Sequence, residues 1–462
     1  MSIRAKRFFD DIENRKVTVC GIGISNRPLI DKLIEHGAIV TACDKRERGE
    51  LGDVADALEA KGVKLHLGKG YLDDLDGEII FRTPGMNYNL PQLISARENG
   101  SIITSEMEVF FAMCSSRIIG LTGSDGKTTT TVITSKMLET QGYKVWVGGN
   151  IGTPLLPHVQ NISPQDFTVV ELSSFQLMSM RQSPNVAVVT NVAPNHLDMH
   201  RDMDEYVDAK RNILAHQDGF GMAVLNEDND ISIGFKDSCR GLVRTFSRRH
   251  KVENGAYCDE HGDIYFSEYG KRTYIMNAMA IRIPGAHNIE NYLTAICAVW
   301  DYVDIGTIIK VAREFGGVEH RIELVRELDG VKYYNDSIAS SPSRTIAGLE
   351  ALKRRVILIA GGYDKHIPFD TLGQAVADHV KALILIGLTA DKIEAAVRRA
   401  DGFDEEKTII IRAGSMADAV KKAHDLAQSG DIVTMSPACA SFDMYNNFEE
   451  RGRDFKELVM EL

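Results

Sequence analysis

The chain has 462 residues, 44% hydrophobic and 26% charged, and a formal net charge of −12. That length exceeds a single core, so two to four domains are expected, with the composition of an ordinary soluble globular protein. An acidic balance without a basic stripe argues against a nucleic-acid partner, and no apolar run approaches the roughly 20 residues of a membrane span.

The first stretch, MSIRAKRFFDDIENRK, lacks the apolar segment and cleavage site of a signal peptide. The seven cysteines are scattered without metal or redox spacing and read as reduced thiols of a cytoplasmic protein. Short β runs then alternate with helical runs, the pattern of a parallel sheet. KVTVCGIG, AIVTACD, VKLHLG and EIIFRTPG read as strands, and RPLIDKLIEHG as a helix closed by Gly37. GIGISN carries Gly21-x-Gly23, with Asn26 where a dinucleotide fingerprint has its third glycine, and Asp44 falls about where that fingerprint places its ribose-binding acid. Three readings stand: a tight strand-to-helix turn, an NAD site, or a site for a nucleotide diphosphate. Lys45 and Arg46 would suit the last, with Thr83 and Gly85 of RTPGM completing the cleft.

A new unit opens at Arg117 with the strand RIIGLTG, a glycine loop and the helix KTTTTVITSKMLETQG. The strict P-loop spacing G-x-x-x-x-G-K-[ST] would need glycine at Leu121; the loop here, Gly123-Ser-Asp-Gly126-Lys127-Thr128, is two residues tighter. It still offers what phosphate binding needs: backbone N–H groups at a helix N-terminus, glycines for close approach, a lysine and a metal-binding hydroxyl. ATP is the expected ligand. KVWVGGNIG, FTVVELSSFQ, VAVVTNVAPNHLD and GMAVLNED follow, each a β run ending on polar or glycine residues, where open α/β sheets carry their sites. Glu171, His196 and Asp198 at those ends suit Mg²⁺, which leaves positions open for phosphate oxygens. Lys210 lies in the helical pattern DEYVDAKRNIL, where the default for a lysine is a solvated surface charge. Residues 240–283 read as an antiparallel insertion, and a helix from His287 closes the unit. From near Arg321 a third α/β unit runs through VKYYND, RVILIAGG, ALILIG, TIIIRA and DIVTMSP. The polar loops NDSIASSPSRT, GGYDKHI and SPACASFDMYNNFEERG lie between or beyond those strands.

TGSDGKTTT, GGNIG, ELSSFQL, NVAPNHLDMH, AKRNIL, GAHNIENYLTA, EHRIELV, YNDS and SPACASFD with NFEERG occur here in one order. That series resembles the Mur ligases, ATP-dependent amide-forming enzymes of peptidoglycan precursor synthesis, across the whole chain. The first domain and the last motif are most similar to the branch that adds D-glutamate to UDP-N-acetylmuramoyl-L-alanine. The resemblance implies an α/β protein of three domains. These would be a Rossmann-like domain over 1–113 for the UDP substrate, a P-loop-type ATPase domain with a mostly parallel sheet over 114–318, and a Rossmann-like domain over 319–462 for the amino acid and ATP.

It also implies roles. Gly123, Ser124, Gly126, Lys127, Thr128 and Thr129 would hold ATP phosphates, and Asn288, Asn291, Arg321 and Asp336 would lie around adenine, ribose and phosphate. Thr128, Glu171, His196 and Lys210 would hold Mg²⁺, two ions in all, with Lys210 N-carboxylated; Lys127, His196 and Lys210 would be catalytic. Ser25, Lys45, Arg46, Thr83 and Gly85 would line the uridine-nucleotide cleft. Asn150 would meet substrate, and Lys365, Ser441 and Phe448 the incoming amino acid. A monomer is expected. The sequence departs from the family at Asp336-Ser337-Ile338-Ala339-Ser340, where Asp-Ser-Lys-[Ala/Ser]-Thr is usual. A dicarboxylate still needs a cation, for which Arg344 or Lys365 is available. The alternatives are a sister ligase for another amino acid, a folate polyglutamate ligase, an NAD oxidoreductase with an accessory nucleotide domain, and a non-enzymatic nucleotide-binding regulator.

Overall fold

In the computed structural model, which describes residues 3–23, 26–194, 200–365 and 367–462, the apolar runs pair into three sheets. The first contains β1 (Lys16–Cys20), β2 (Ile39–Asp44), β3 (Lys64–Leu67), β4 (Ile79–Arg82) and β5 (Ile102–Thr104), in the order β3-β2-β1-β4-β5. All its pairings are parallel. The strand order reverses between β1 and β4, so the loops leaving those two strands open onto one crevice. The Thr83 N–H donates to the Cys20 carbonyl at 3.1 Å, closing the two loop starts together.

The second sheet contains β6 (Arg117–Thr122), β7 (Val145–Gly149), β8 (Phe167–Glu171), β9 (Val186–Val189), β10 (Met222–Asn226), β11 (Leu242–Ser247), β12 (Gly255–Cys258), β13 (Asp263–Glu268) and β14 (Lys271–Asn277). Its order is β14-β13-β12-β11-β10-β9-β6-β8-β7. The expected antiparallel insertion is only half right. β11 and β12 extend the parallel sheet, and only β13 and β14 run antiparallel, as hairpins on its edge. Ile119, Leu121, Val169, Val170, Ala187 and Val188 are wholly buried, which is why these strands read as unbroken apolar runs rather than alternating ones. Because β6 lies between β9 and β8, its C-terminal loop sits at this sheet's switch point.

The third sheet has β15 (Glu323–Leu328), β16 (Val331–Asn335), β17 (Val356–Ala360), β18 (Val380–Leu385), β19 (Ile409–Arg412) and β20 (Ile432–Met435), in the order β15-β16-β20-β17-β18-β19. It is parallel apart from β15, an edge strand that the sequence reading did not separate. That strand is half-buried along most of its length and mixes Glu and Arg with apolar residues, so neither strand period stands out.

The chain forms two compact units, Met1–Ala280 with Ile289–Val311, and Ile281–Asn288 with Ala312–Leu462. The first unit contains both of the first two sheets. Within it the half-buried Glu106 carboxylate accepts the Leu155 and Leu156 N–H groups at 2.9 and 2.6 Å, fastening the helix Glu106–Met113 to the second sheet's side. Among the described residues no helix is long and apolar enough to cross a membrane, and all seven cysteines are unbridged.

Candidate active site

The glycine loop leaves β6 and enters the helix Lys127–Gln141 through two glycines whose positive φ and close neighbours disfavour a side chain. Gly123 has φ +152°, and a Cβ there would fall 1.9 Å from Thr190 Oγ1; at Gly126, φ +76°, it would fall 2.5 Å from Asn291 Oδ1. The loop is clasped from β9's side. Ser124 N–H donates to the Asn191 carbonyl at 2.9 Å, Asp125 N–H to Asn191 Oδ1 at 3.0 Å, and Thr190 Oγ1 to the Asp125 carbonyl at 2.6 Å. Ser124 Oγ donates to the Ala193 carbonyl at 2.8 Å, accepts the Ala193 N–H at 2.9 Å, and lies 3.0 Å from the Tyr206 hydroxyl. The N–H groups of the helix's first turn, Gly126 to Thr129, lie at a helix N-terminus, a position suited to an anion.

Five of the expected residues, Lys127 and Thr128 of the loop itself with Asn150, Glu171 and Lys210, come together here. Thr128 Oγ1 donates to Glu171 Oε2 at 2.8 Å, and Asn150 Nδ2 to Glu171 Oε1 at 3.0 Å; Glu171 is almost wholly buried. Lys127 Nζ donates to the Gly123 and Ser124 carbonyls, both at 3.0 Å. Lys210 Nζ donates to the same Gly123 carbonyl at 2.7 Å and lies 4.5 Å from the Tyr206 ring centroid. Lys210 is only 2% exposed, which overturns the surface-charge default of a helix lysine. Burial first, and the nearby Lys127 ammonium second, lower its pKa to about 7, against the attraction of Asp125 and Glu171. A hydroxyl, a carboxylate and an amine that is half neutral near neutral pH thus face one helix N-terminus. His196, with Asp198 and Ser25, lies outside the described residues.

In the first sheet's crevice, Asp44 is not an open ribose ligand. Its carboxylate accepts from Ile22 N at 2.7 Å, Arg46 N at 3.0 Å, Arg46 Nε at 2.9 Å and Arg46 Nη2 at 2.7 Å. Burial works to raise this carboxyl, but the Arg46 bonds outweigh it and hold the group near 2. Asn26 Nδ2 donates to the Gly21 carbonyl at 2.9 Å, closing the turn that a third glycine would otherwise make. Arg46 is thus tied to Asp44, whereas Lys45 and Gly85 are exposed and Thr83 is half-buried.

In the second unit, Asp336 follows β16 and is buried, accepting from Ser436 Oγ at 2.7 Å and Ile322 N at 3.2 Å. Burial pushes it up to about 7 despite those bonds. Two cations reach the loop after it: Arg344 Nη1 donates to the Ile338 carbonyl at 3.2 Å, and Lys365 Nζ to the Ser340 carbonyl at 3.3 Å. Both candidates for the missing lysine charge are therefore at the altered stretch. Arg451, fully buried, donates to Ser337 Oγ and to the Ser337, Cys439 and Ala440 carbonyls, fixing the loops that bear Ile338 and Ser441. Phe448 opens the helix Phe448–Glu461 and packs edge-on against His320, 5.9 Å between centroids. Asn288 Nδ2 donates to the Pro284 carbonyl at 2.5 Å in this unit, while Asn291 belongs to the first, where it accepts from Thr130 Oγ1 at 3.1 Å. The acid-and-histidine group Glu319, His320 and Glu323 resembles a metal set, but the Lys456 ammonium bridges both carboxylates at 3.1 and 2.6 Å.

Sequence reasoning missed Thr190 and Asn191, Tyr206, Ser436 and Arg451. Tyr206 was visible only as an apolar helix position, and Arg451 as one charge in the acidic run NNFEERG. Nothing in a single sequence marks a polar side chain as an internal clasp.

Two family models match the chain: the Mur ligase middle domain over residues 121–299, and the Mur ligase, glutamate ligase domain over residues 320–439. The chain is similar to the UDP-N-acetylmuramoylalanine–D-glutamate ligase of Acetivibrio thermocellus, 52% identical over 462 residues and 99% of each chain. The protein of the same name from Clostridium novyi is 51% identical, with 98% of each chain covered. A solved structure of UDP-N-acetylmuramate–alanine ligase from Thermotoga maritima matches with TM-score 0.59 at 16% identity, covering 97% of this chain and 99% of that one. A pseudomurein peptide ligase type C from Methanothermus fervidus matches with TM-score 0.53 at 18% identity, covering 97% and 100%. At such identities the two structures speak to the fold alone.

Proposed function

The chain belongs to the Mur ligase family, and from that premise we propose that it joins D-glutamate to UDP-N-acetylmuramoyl-L-alanine, using ATP, in peptidoglycan precursor synthesis. The observation that carries this reading is 52% identity, over 99% of the chain, to a ligase named for D-glutamate.

A carboxylate does not form an amide directly, because oxide is a poor leaving group. Transfer of the ATP γ-phosphoryl group to the alanine carboxylate gives an acyl phosphate. The D-glutamate amine then attacks the carbonyl carbon; the C–N bond forms, the carbon–oxygen bond to phosphate breaks, and the amine proton leaves. The protein's tasks are in-line placement and charge neutralisation. The first-turn N–H groups from Gly126 to Thr129 and the Lys127 ammonium take the β- and γ-phosphates, with Ser124 and Gly123 shaping the loop beneath them.

Thr128 and Glu171, in contact at 2.8 Å, are hard oxygen donors suited to Mg²⁺. With N-carboxylated Lys210 and His196 they would hold it, two ions in this reading, neutralising charge on the phosphates. Carboxylation requires a neutral amine, and burial with the Lys127 charge gives Lys210 that form near pH 7. Asn150 orients Glu171 and faces substrate. Asn288, Asn291, Arg321 and Asp336 serve the nucleoside of ATP; Ser25, Lys45, Arg46, Thr83 and Gly85 serve the uridine nucleotide. Lys365, Ser441 and Phe448 serve D-glutamate. The three sheets would form a Rossmann-like domain over 1–113, a P-loop-type ATPase over 114–318 and a Rossmann-like domain over 319–462, in a monomeric cytoplasmic enzyme.

The test is phosphate release with UDP-N-acetylmuramoyl-L-alanine, ATP and Mg²⁺ across a panel of D- and L-amino acids. D-Glutamate alone is expected to support turnover. Turnover with L-lysine or diaminopimelate and none with D-glutamate would make this a sister ligase instead.

A further inference from the structure

His200 is buried to 4% exposure beside the glycine-loop site, yet none of the roles above uses it. Its Nε2 lies 2.8 Å from Ser174 Oγ, and its Nδ1 lies 3.5 Å from Glu205 Oε2. The imidazole stacks on Phe175, with centroids 4.9 Å apart and planes 7° apart, and meets Tyr206 edge-on at 5.2 Å. These contacts join two separate elements. Ser174 and Phe175 belong to the short helix Ser174–Leu177, which begins three residues after Glu171. Glu205 and Tyr206 belong to the helix Met203–Ala215, which carries Lys210 one turn further on. Tyr206 in turn touches Ser124 of the glycine loop with its hydroxyl and the Lys210 ammonium with its ring.

We infer that His200 is a positioning residue that holds the Lys210 helix in register with the turn after Glu171, and so sets the Lys210-to-Glu171 arrangement on which phosphoryl transfer depends. The inference rests on the ligase reading for its activity readout, though not for its binding readouts. A histidine present only to fill the core would need one flat apolar face. Here both ring nitrogens face polar groups on different elements, and the ring is gripped by an aromatic from each. Asn212 Nδ2, on the Lys210 helix, donates to the Leu177 carbonyl at 2.5 Å at the far end of the Ser174 helix, so His200 is the link at the end nearer Glu171. Groups that hold a metal ligand's support are worth roughly 10- to 100-fold in metal affinity or activity.

The test compares His200→Phe, which keeps the ring and deletes both nitrogens, with Ser174→Ala and the double variant. Three readouts are taken on each: Mn²⁺ affinity by electron paramagnetic resonance, the ¹³C-carbamate signal after ¹³CO₂ exposure, and steady-state kcat and KM for ATP. Each single variant is expected to lose roughly 10- to 100-fold in Mn²⁺ affinity and kcat, with reduced carbamate signal and little change in KM for ATP. The double variant should be no worse than the worse single one. Ser174→Ala removes one small hydroxyl and so keeps the question answerable if His200→Phe fails to fold. Wild-type Mn²⁺ affinity and carbamate signal in both single variants, or additive losses in the double, would overturn the inference. If the wild-type protein releases no phosphate with D-glutamate, the ligase reading fails, while the Mn²⁺ and carbamate comparisons still decide the role of His200.

Discussion

Lys127→Met is expected to lower kcat on the order of 100- to 1,000-fold, with a smaller loss in ATP affinity. The ammonium is expected to act where charge builds on the transferring phosphoryl group, so its loss falls on turnover more than on binding. A second consequence follows from the geometry. Lys127 and Lys210 both donate to the Gly123 carbonyl, at 3.0 and 2.7 Å, and Lys127 is among the causes lowering the Lys210 pKa. Removing that charge lets Lys210 regain protons, so the variant should also carry less carbamate at neutral pH and recover it only at higher pH. Turnover of Lys127→Met within about threefold of wild type would be inconsistent with a phosphate clamp that supplies this much stabilisation. A circular-dichroism melt separates the effect from loop collapse.

Lys210→Ala is expected to lose turnover by at least about 100-fold and to regain part of it with added formate or acetate, which supply the missing carboxylate. In the wild-type protein the carbamate signal should grow as pH rises through about 7, where the buried amine becomes neutral. The stability linkage runs in the same direction. The unfolded lysine binds its proton up to its ordinary pKa of 10.5, while the folded, unmodified one releases it near 7, so between those values the unfolded state holds more protons. Stability of the uncarboxylated protein in CO₂-free buffer therefore rises with pH across that window and levels off below about 7, where both states hold the proton. A Lys210→Ala enzyme with normal Mg²⁺ dependence and turnover would remove the carbamate from the mechanism.

Most of the strands could be read from the sequence because parallel strands buried on both faces leave unbroken Val, Ile and Leu runs. The glycine loop was legible for a related reason: its glycines, lysine and threonine must be adjacent in sequence to act together. β15 was missed because an edge strand mixes charged and apolar residues. The β11–β12 stretch was assigned to an antiparallel insertion because turn-rich short strands look alike in either direction. The clasp of Thr190, Asn191 and Tyr206 on the loop was not legible, since it depends on side chains 65 to 82 positions away from the groups they bind. Burial also reversed one default: Lys210 sits in a helix whose sequence allows an exposed lysine, and only the packing of Tyr206 and the glycine loop around it removes it from water.

The decisive step is transfer of the γ-phosphate to a substrate carboxylate and not to water. It is tested by turning over UDP-N-acetylmuramoyl-L-alanine labelled with ¹⁸O in its carboxylate, with ATP and D-glutamate, and weighing the released phosphate. Attack of the amine on an acyl phosphate carries one carboxylate oxygen away, so the phosphate should contain a single ¹⁸O. Unlabelled phosphate from labelled substrate, or ¹⁸O incorporated from labelled water, would contradict the mechanism.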